Sequence, residues 1–257
     1  MPKKTKLSRK PKRKKKLLSG PPAPVHLWRV CLYGEHWVSS HPLHVPPSKE
    51  NPFGSVTTRR GHCAKNSSDK DQLYPEEIAE IANQHFSSLK NKPCSLTLGF
   101  ANGSSYDCPI AGWVQYWNEV LQPTELLEPN FVKALIATES GFNPAILANK
   151  KNKNSARGLM QVTNDTRKIL GDDDGEINDH YVNASREELN DPNVNICAGV
   201  RWLFHKRELL SKKLDRQATW LETVYKYKGT GKVGKNRAKV IVKKFETKFE
   251  ELQKCGK

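Results

Sequence analysis

Apolar positions recur at helical spacing through the second half of the chain. Trp113, Trp117, Val120 and Leu121 share one face of a run that Pro123 ends. In EPNFVKALIATESGF, Phe131, Val132, Leu135 and Ile136 form the next stripe, with Pro129 suited to the first turn and Gly141 to the stop. Asp191 and Pro192 read as cap and first residue of a further helix, whose buried stripe is Val200, Leu203 and Phe204. Trp220, Leu221, Val224 and Tyr225 predict another. The last, basic on its outer face, carries Ile241, Phe245, Phe249 and Leu252. The first half differs. Residues 17–72 are rich in Pro, His, Ser and Gly with short apolar stretches, which predicts a small strand-and-turn module. A helix follows from Pro75 through Ile78, Ile81, Ala82 and Leu89, and the turn-rich segment 93–109 is expected to form a hairpin.

Charge divides the chain again. The net charge is +16, but residues 1–16 hold ten Lys or Arg and no acid, leaving 33 basic against 27 acidic residues elsewhere. Such a block repels itself and buries no apolar surface, so residues 1–20 are expected to be a disordered basic arm. It is either a solvated tail or a contact for phosphates, anionic lipid or acidic wall polymers. The expected organisation is then the arm, a small module of unknown family over 21–108 and a helical domain over 109–253. The fold class is α+β, predominantly α. The mean hydropathy of −0.72 predicts a soluble protein with no transmembrane segment. The prolines of LLSGPPAPVHLW break any apolar core of a secretory signal. Six cysteines are too scattered to define a disulfide framework; a Cys94–Cys108 bridge or free thiols are both compatible with their spacing.

Four segments carry the candidate chemistry: ALIATESGFNP (134–144), ARGLMQVT (156–163), DPNVNICAGVRWL (191–203) and VYKYKGTG (224–231). Their order and gaps resemble the lytic transglycosylase SLT domain family, related to goose-type lysozyme. Its pattern is a helix ending in Glu-Ser, then Gly-Leu-Met-Gln, an Asn-x-x-x-Gly helix and a Tyr-Asn loop. The resemblance covers roughly residues 110–253 and implies a lysozyme-like helical catalytic domain. It makes Glu139 the catalytic residue. A carboxyl there meets the negative end of its helix dipole and apolar neighbours, both of which disfavour the ionised form, as a general acid requires.

The resemblance further implies that Ser140, Gly158, Leu159, Met160, Gln161 and Asn195 bind or frame the substrate, with Gly199 letting a neighbour approach closely. In the fourth segment a lysine follows Tyr227 where the family has Asn. Two candidates stand for the active-site tyrosine: Tyr225 shares a face with Leu221, and Tyr227 sits at the turn out of the helix and is favoured.

The implied reaction breaks the β-1,4 bond between N-acetylmuramic acid and N-acetylglucosamine. Glu139 protonates the glycosidic oxygen and then takes the proton of the muramic C6 hydroxyl, which attacks C1 and closes a 1,6-anhydro ring. The substrate thus replaces the second carboxylate that most glycosidases need. Acids in GDDDGEIND (171–179) read as a solvated loop; one of them positioning a water would instead make the protein a lysozyme-type muramidase. No cofactor is implied, and no metal is assigned to that loop. Cys31, His36, His41, His44, His62 and Cys63 are zinc-type donors without a standard spacing.

The competing reading is a non-catalytic basic protein that grips glycan and binds nucleic acid through its arm, with Trp28, Tyr33 and Trp37 as stacking surfaces. Intact Glu139 and the Gly-Leu-Met-Gln segment argue against it, and nucleic acid is not the expected partner. The expected partners are peptidoglycan strands. Without a recognisable signal peptide, the protein is expected to be made in the cytoplasm and to act in the periplasm or cell wall, through specialised secretion or lysis. It then reads as a monomeric antibacterial effector, with secretion machinery and an immunity protein as partners, or as a phage lysis factor.

Overall fold

A computed structural model describes residues 26–229 and 233–255. The basic arm of residues 1–20 lies outside the described residues. The architecture is predominantly helical, with its strands confined to a ribbon near the start and one short pairing.

The ribbon is built from β1 (Glu35–Val38), β2 (His41–Val45), β3 (Ser55–Arg59) and β4 (His62–Lys65). β1 pairs with β4 (Glu35↔Lys65 to Val38↔His62) and β2 with β3 (His41↔Arg59 to Val45↔Ser55), all antiparallel. The same register runs through both ladders, so they form one interrupted hairpin. A Cys31–Cys63 disulfide closes its base.

The two-residue β5 (Gln72–Leu73) pairs in parallel with β6 (Tyr181–Val182), tying this part of the chain to the loop after the acidic segment. The buried Arg29 guanidinium reinforces the join. It donates to Glu77 Oε1 at 2.5 Å, to Asp71, and to the carbonyls of Glu35 (2.9 Å) and Gln72 (3.3 Å). Five donors in a fixed fork suit such a four-sided contact.

α1 (Pro75–His85) starts at its proline, as expected, and buries Ile78 and Ile81 in the same cluster as the downstream helices. α2 (Asp107–Leu121) presents Trp113, Tyr116 and Trp117 inward. The Trp117 indole donates to the Cys197 carbonyl at 3.0 Å, satisfying its polar atom inside the core.

α3 (Pro129–Glu139) buries Phe131, Val132, Leu135 and Ile136, each worth about 1.5–3 kcal/mol. α4 (Asn164–Gly171) is a short helix that the apolar pattern did not announce, capped by Thr163. α5 (Pro192–Leu214) is the longest helix, with the Asp191 carboxylate accepting from the backbone of Asn193 and Val194. α6 (Trp220–Tyr227) opens with a Thr219/Glu222 capping box, and α7 (Lys235–Gln253) packs on α3 through Phe245 and Phe249 against Phe131. Among the described residues no helix is long and apolar enough to cross a membrane.

Segment 93–109 is not a hairpin. It runs as turns into α2, which begins at Asp107: its backbone closes short turns, such as Phe100 N–H to the Thr97 carbonyl at 3.1 Å and Gly103 N–H to the Phe100 carbonyl at 3.0 Å, and Cys94 is bonded to side chains of α3. Cys94 N–H donates to Asn130 Oδ1 at 2.8 Å, and the fully buried Lys133 Nζ donates to the Cys94 carbonyl at 2.5 Å. Cys94 pairs with Cys255 at the end of α7, leaving Cys108 a free thiol.

Candidate active site

Glu139 is the last residue of α3. Ser140 caps the helix, its N–H bonding to the Ile136 carbonyl at 3.0 Å, and Gly141 turns the chain out at φ +57°. Any Cβ on Gly141 would also stand 2.8 Å from the Phe100 ring, so glycine meets two requirements there. This stop leaves the Glu139 carboxyl at a helix end, 17% exposed. The Ser140 hydroxyl turns back to the Ile136 carbonyl at 3.2 Å and is buried.

A second wall comes from residues 156–162. Gly158 adopts φ +72°, and a Cβ there would lie 2.1 Å from Asn195 Nδ2, so the loop lies directly against α5. Asn195 is fully buried and uses its whole amide: Oδ1 accepts from Met160 N–H at 2.8 Å, while Nδ2 donates to the carbonyls of Leu189 (2.8 Å) and Arg157 (3.1 Å). One turn on, Gly199 makes room for Met160, whose Sδ would be 2.5 Å from an added Cβ. Leu159 and Met160 are fully buried, and Gln161 Nε2 donates to the Gly158 carbonyl at 2.9 Å. The structure thus brings Gly158, Leu159, Met160, Gln161, Asn195 and Gly199 together, with Leu159, Met160 and Asn195 closed from solvent.

The end of α6 supplies the third wall. The Tyr227 hydroxyl donates to the Met160 carbonyl at 2.7 Å. Burial pushes this phenol well above its ordinary range, and the negative charge of Glu139 adds to the effect. It is a neutral donor at any physiological pH. Tyr225 points elsewhere, donating to Glu246 of α7 at 2.7 Å.

Lys228 follows Tyr227 as the C-cap of α6. Its Nζ lies 2.5 Å from Glu139 Oε1 and 3.0 Å from Thr138 Oγ1, with the side chain only 6% exposed. Sequence reasoning framed Glu139 with a helix end and apolar neighbours and missed this cation. The one signal was the lysine standing where the resembled pattern has Asn. Beside Thr138, a groove of about 570 Å³ runs between α3 and α7, lined by Phe100, Val240, Lys243 and Lys248 among others.

The acidic segment makes its contacts away from Glu139. Asp179 accepts from Tyr33 at 2.6 Å and from Asp71 N–H at 3.1 Å, and Glu176 meets His205 at 3.1 Å. Among the described residues, the hydrogen bonds of Glu139 include no second carboxyl.

Among the described residues, no group of three or more His, Cys, Asp or Glu side chains is placed to hold a metal ion. The sulfurs of Cys31 and Cys63 are joined to each other, and His36 pairs with Asn66 at 2.7 Å. Trp28 stacks on His85 at 5.7 Å, so that ring is not an open stacking surface.

Residues 115–249, just over half of the chain, match the family described as Transglycosylase SLT domain. Among solved structures, the 70 kDa soluble lytic transglycosylase from Escherichia coli matches at 18% identity with a TM-score of 0.30. That match covers 68% of this chain, which spans 26% of that protein. No curated protein matches the sequence.

Proposed function

The chain belongs to the transglycosylase SLT domain family, and from that premise we propose that it is a peptidoglycan lytic transglycosylase. It cleaves the β-1,4 bond between N-acetylmuramic acid and N-acetylglucosamine and leaves a 1,6-anhydro end. The observation that carries the reading is the Glu139 carboxyl at the end of α3, bonded to Lys228 and, among the described residues, with no second carboxyl among its hydrogen-bond partners. A retaining glycosidase sets two carboxyls about 5–5.5 Å apart, and an inverting one about 6.5–9.5 Å. A reaction that draws its nucleophile from the substrate needs one.

In this reading Glu139 first gives its proton to the glycosidic oxygen, and the C1–O bond breaks with its electron pair going to that oxygen. The C6 hydroxyl oxygen then bonds to C1, and its proton returns to Glu139. Holding both ends of the attack in one ring replaces a bimolecular encounter. The buried Asn195–Met160–Tyr227 chain of hydrogen bonds keeps the facing wall in place. Purified peptidoglycan incubated with the protein should release soluble muropeptides, and Glu139→Gln should release none. Equal release by that variant would overturn the assignment of Glu139.

The substrate lies outside the cytoplasmic membrane, and the two disulfides support an oxidising destination. We propose delivery by specialised secretion or by lysis, as an antibacterial effector or a phage lysis factor. Toxicity on directing the protein to the periplasm, with none in the cytosol, is the expected result. Equal toxicity in both compartments would refute it.

A further inference from the structure

Lys228 is a nearly buried cation on the carboxyl that the proposed chemistry uses, and that chemistry as written gives it no role. Three features define its position. It is the residue after Tyr227, and its N–H bonds to the Val224 carbonyl at 2.8 Å, so the end of α6 aims two consecutive side chains at the site. Thr138 Oγ1 donates its proton to carbonyls of its own helix, Leu135 at 3.0 Å and Ala134 at 3.2 Å, and so presents a lone pair to Lys228. The ammonium has donors only. It therefore engages Thr138 and Oε1 of Glu139 in one direction, and among the described residues no hydrogen bond engages Oε2. α3 has no basic residue in its last turn, so Lys228 is also the cation that meets the negative end of that helix.

We propose that Lys228 is a positioning residue that holds Oε1 of Glu139 and so dedicates Oε2 to proton exchange with the glycan. The proposal rests on the transglycosylase reading above. The proton leaves Oε2 for the glycosidic oxygen as the C1–O bond breaks, and the C6 hydroxyl returns one to Oε2 as the anhydro ring closes. Lys228 keeps its three protons throughout. Its charge offsets the one that appears on Glu139 between those two transfers, when it counts most.

The test compares Lys228→Met and Lys228→Arg with the parent protein, each at its own pH optimum. Lys228→Met should lower kcat about 10- to 100-fold, the scale of one charge-assisted hydrogen bond, with KM within about twofold. Lys228→Arg should recover part of the loss. A merely structural role would lower thermal stability in step with activity and leave Lys228→Arg no more active than Lys228→Met.

The side-chain carboxyl carbon of Glu139, followed by NMR at one fixed pH, should shift on Lys228→Met and return toward the parent position in Lys228→Arg, without any turnover. An unchanged kcat, or a Glu139 carboxyl resonance that stays where it was, overturns the proposal for Lys228. If the parent protein releases no glycan, the functional reading fails instead, and the carboxyl resonance still decides whether Lys228 holds Glu139.

Discussion

Replacing Asn195 with alanine strips three buried backbone groups of their partner at once: the Met160 N–H and the carbonyls of Leu189 and Arg157. Each orphaned group costs about 1–3 kcal/mol when water cannot reach it. Entry of one water into the vacated space would re-satisfy part of this, so the net loss is expected near 4 kcal/mol. For a chain of this size that lowers the melting temperature by about 10 °C.

Asn195→Asp is the sharper variant because it keeps the shape. One oxygen still accepts from Met160, but the other faces two carbonyls with no proton to offer. Burial and those carbonyls raise the new carboxyl above its unfolded value. The proton is then held more tightly in the folded state, so this variant gains stability as pH falls and loses it as pH rises. Urea unfolding followed by far-UV circular dichroism, with both disulfides intact, measures each case. This role of the Asn195 amide is refuted if Asn195→Ala unfolds within about 1 kcal/mol of the parent. It is equally refuted if Asn195→Asp matches the parent at pH 7.

The two tyrosines should separate: Tyr227→Phe lowers turnover at least fivefold and stability by about 1 kcal/mol, while Tyr225→Phe leaves turnover within about twofold because its hydroxyl serves Glu246. The opposite pattern in a muropeptide-release assay would contradict the placement of Tyr227. Burial alone would raise Asp71, but the hydrogen bond from His180 and the charge of Arg29 hold it below the usual carboxylate range. Its contribution to stability is present above the unfolded value and is lost as pH falls below about 4. Asp71→Asn should accordingly flatten the acid limb of a stability–pH curve, and an unchanged limb would exclude it. Loop entropy ranks the disulfides: Cys94–Cys255, with a separation of 161 residues, should stabilise by about 5 kcal/mol and Cys31–Cys63, with 32, by about 4. Denaturation of the two paired Cys→Ser variants checks that order.

Elements with strong local signals were legible in the sequence. Pro129 and Gly141 bracket α3, and Asp191 with Pro192 opens α5, because caps and special dihedrals are properties of neighbouring residues. The Gly-Leu-Met-Gln segment was also legible, although its physical reason was not. That reason is an amide on α5 bonding to a loop 35 residues away in sequence. α4 escaped because its eight residues, NDTRKILG, bury little beyond Thr166 and Leu170. The hairpin expected at 93–109 failed because Asn130 and Lys133 claim backbone groups of Cys94. Lys228 escaped for a related reason: α6 and α3 meet only in the fold, and a lysine in a basic chain otherwise reads as solvated.

In the proposed reaction the substrate's own C6 hydroxyl, and not water, completes the chemistry at Glu139. Digestion of peptidoglycan in water enriched in oxygen-18, followed by mass spectrometry of the released muropeptides, tests it directly. The expected products are 1,6-anhydro-muramic ends that carry no heavy oxygen. Reducing muramic ends labelled with one oxygen-18 would contradict it and make the protein a hydrolase.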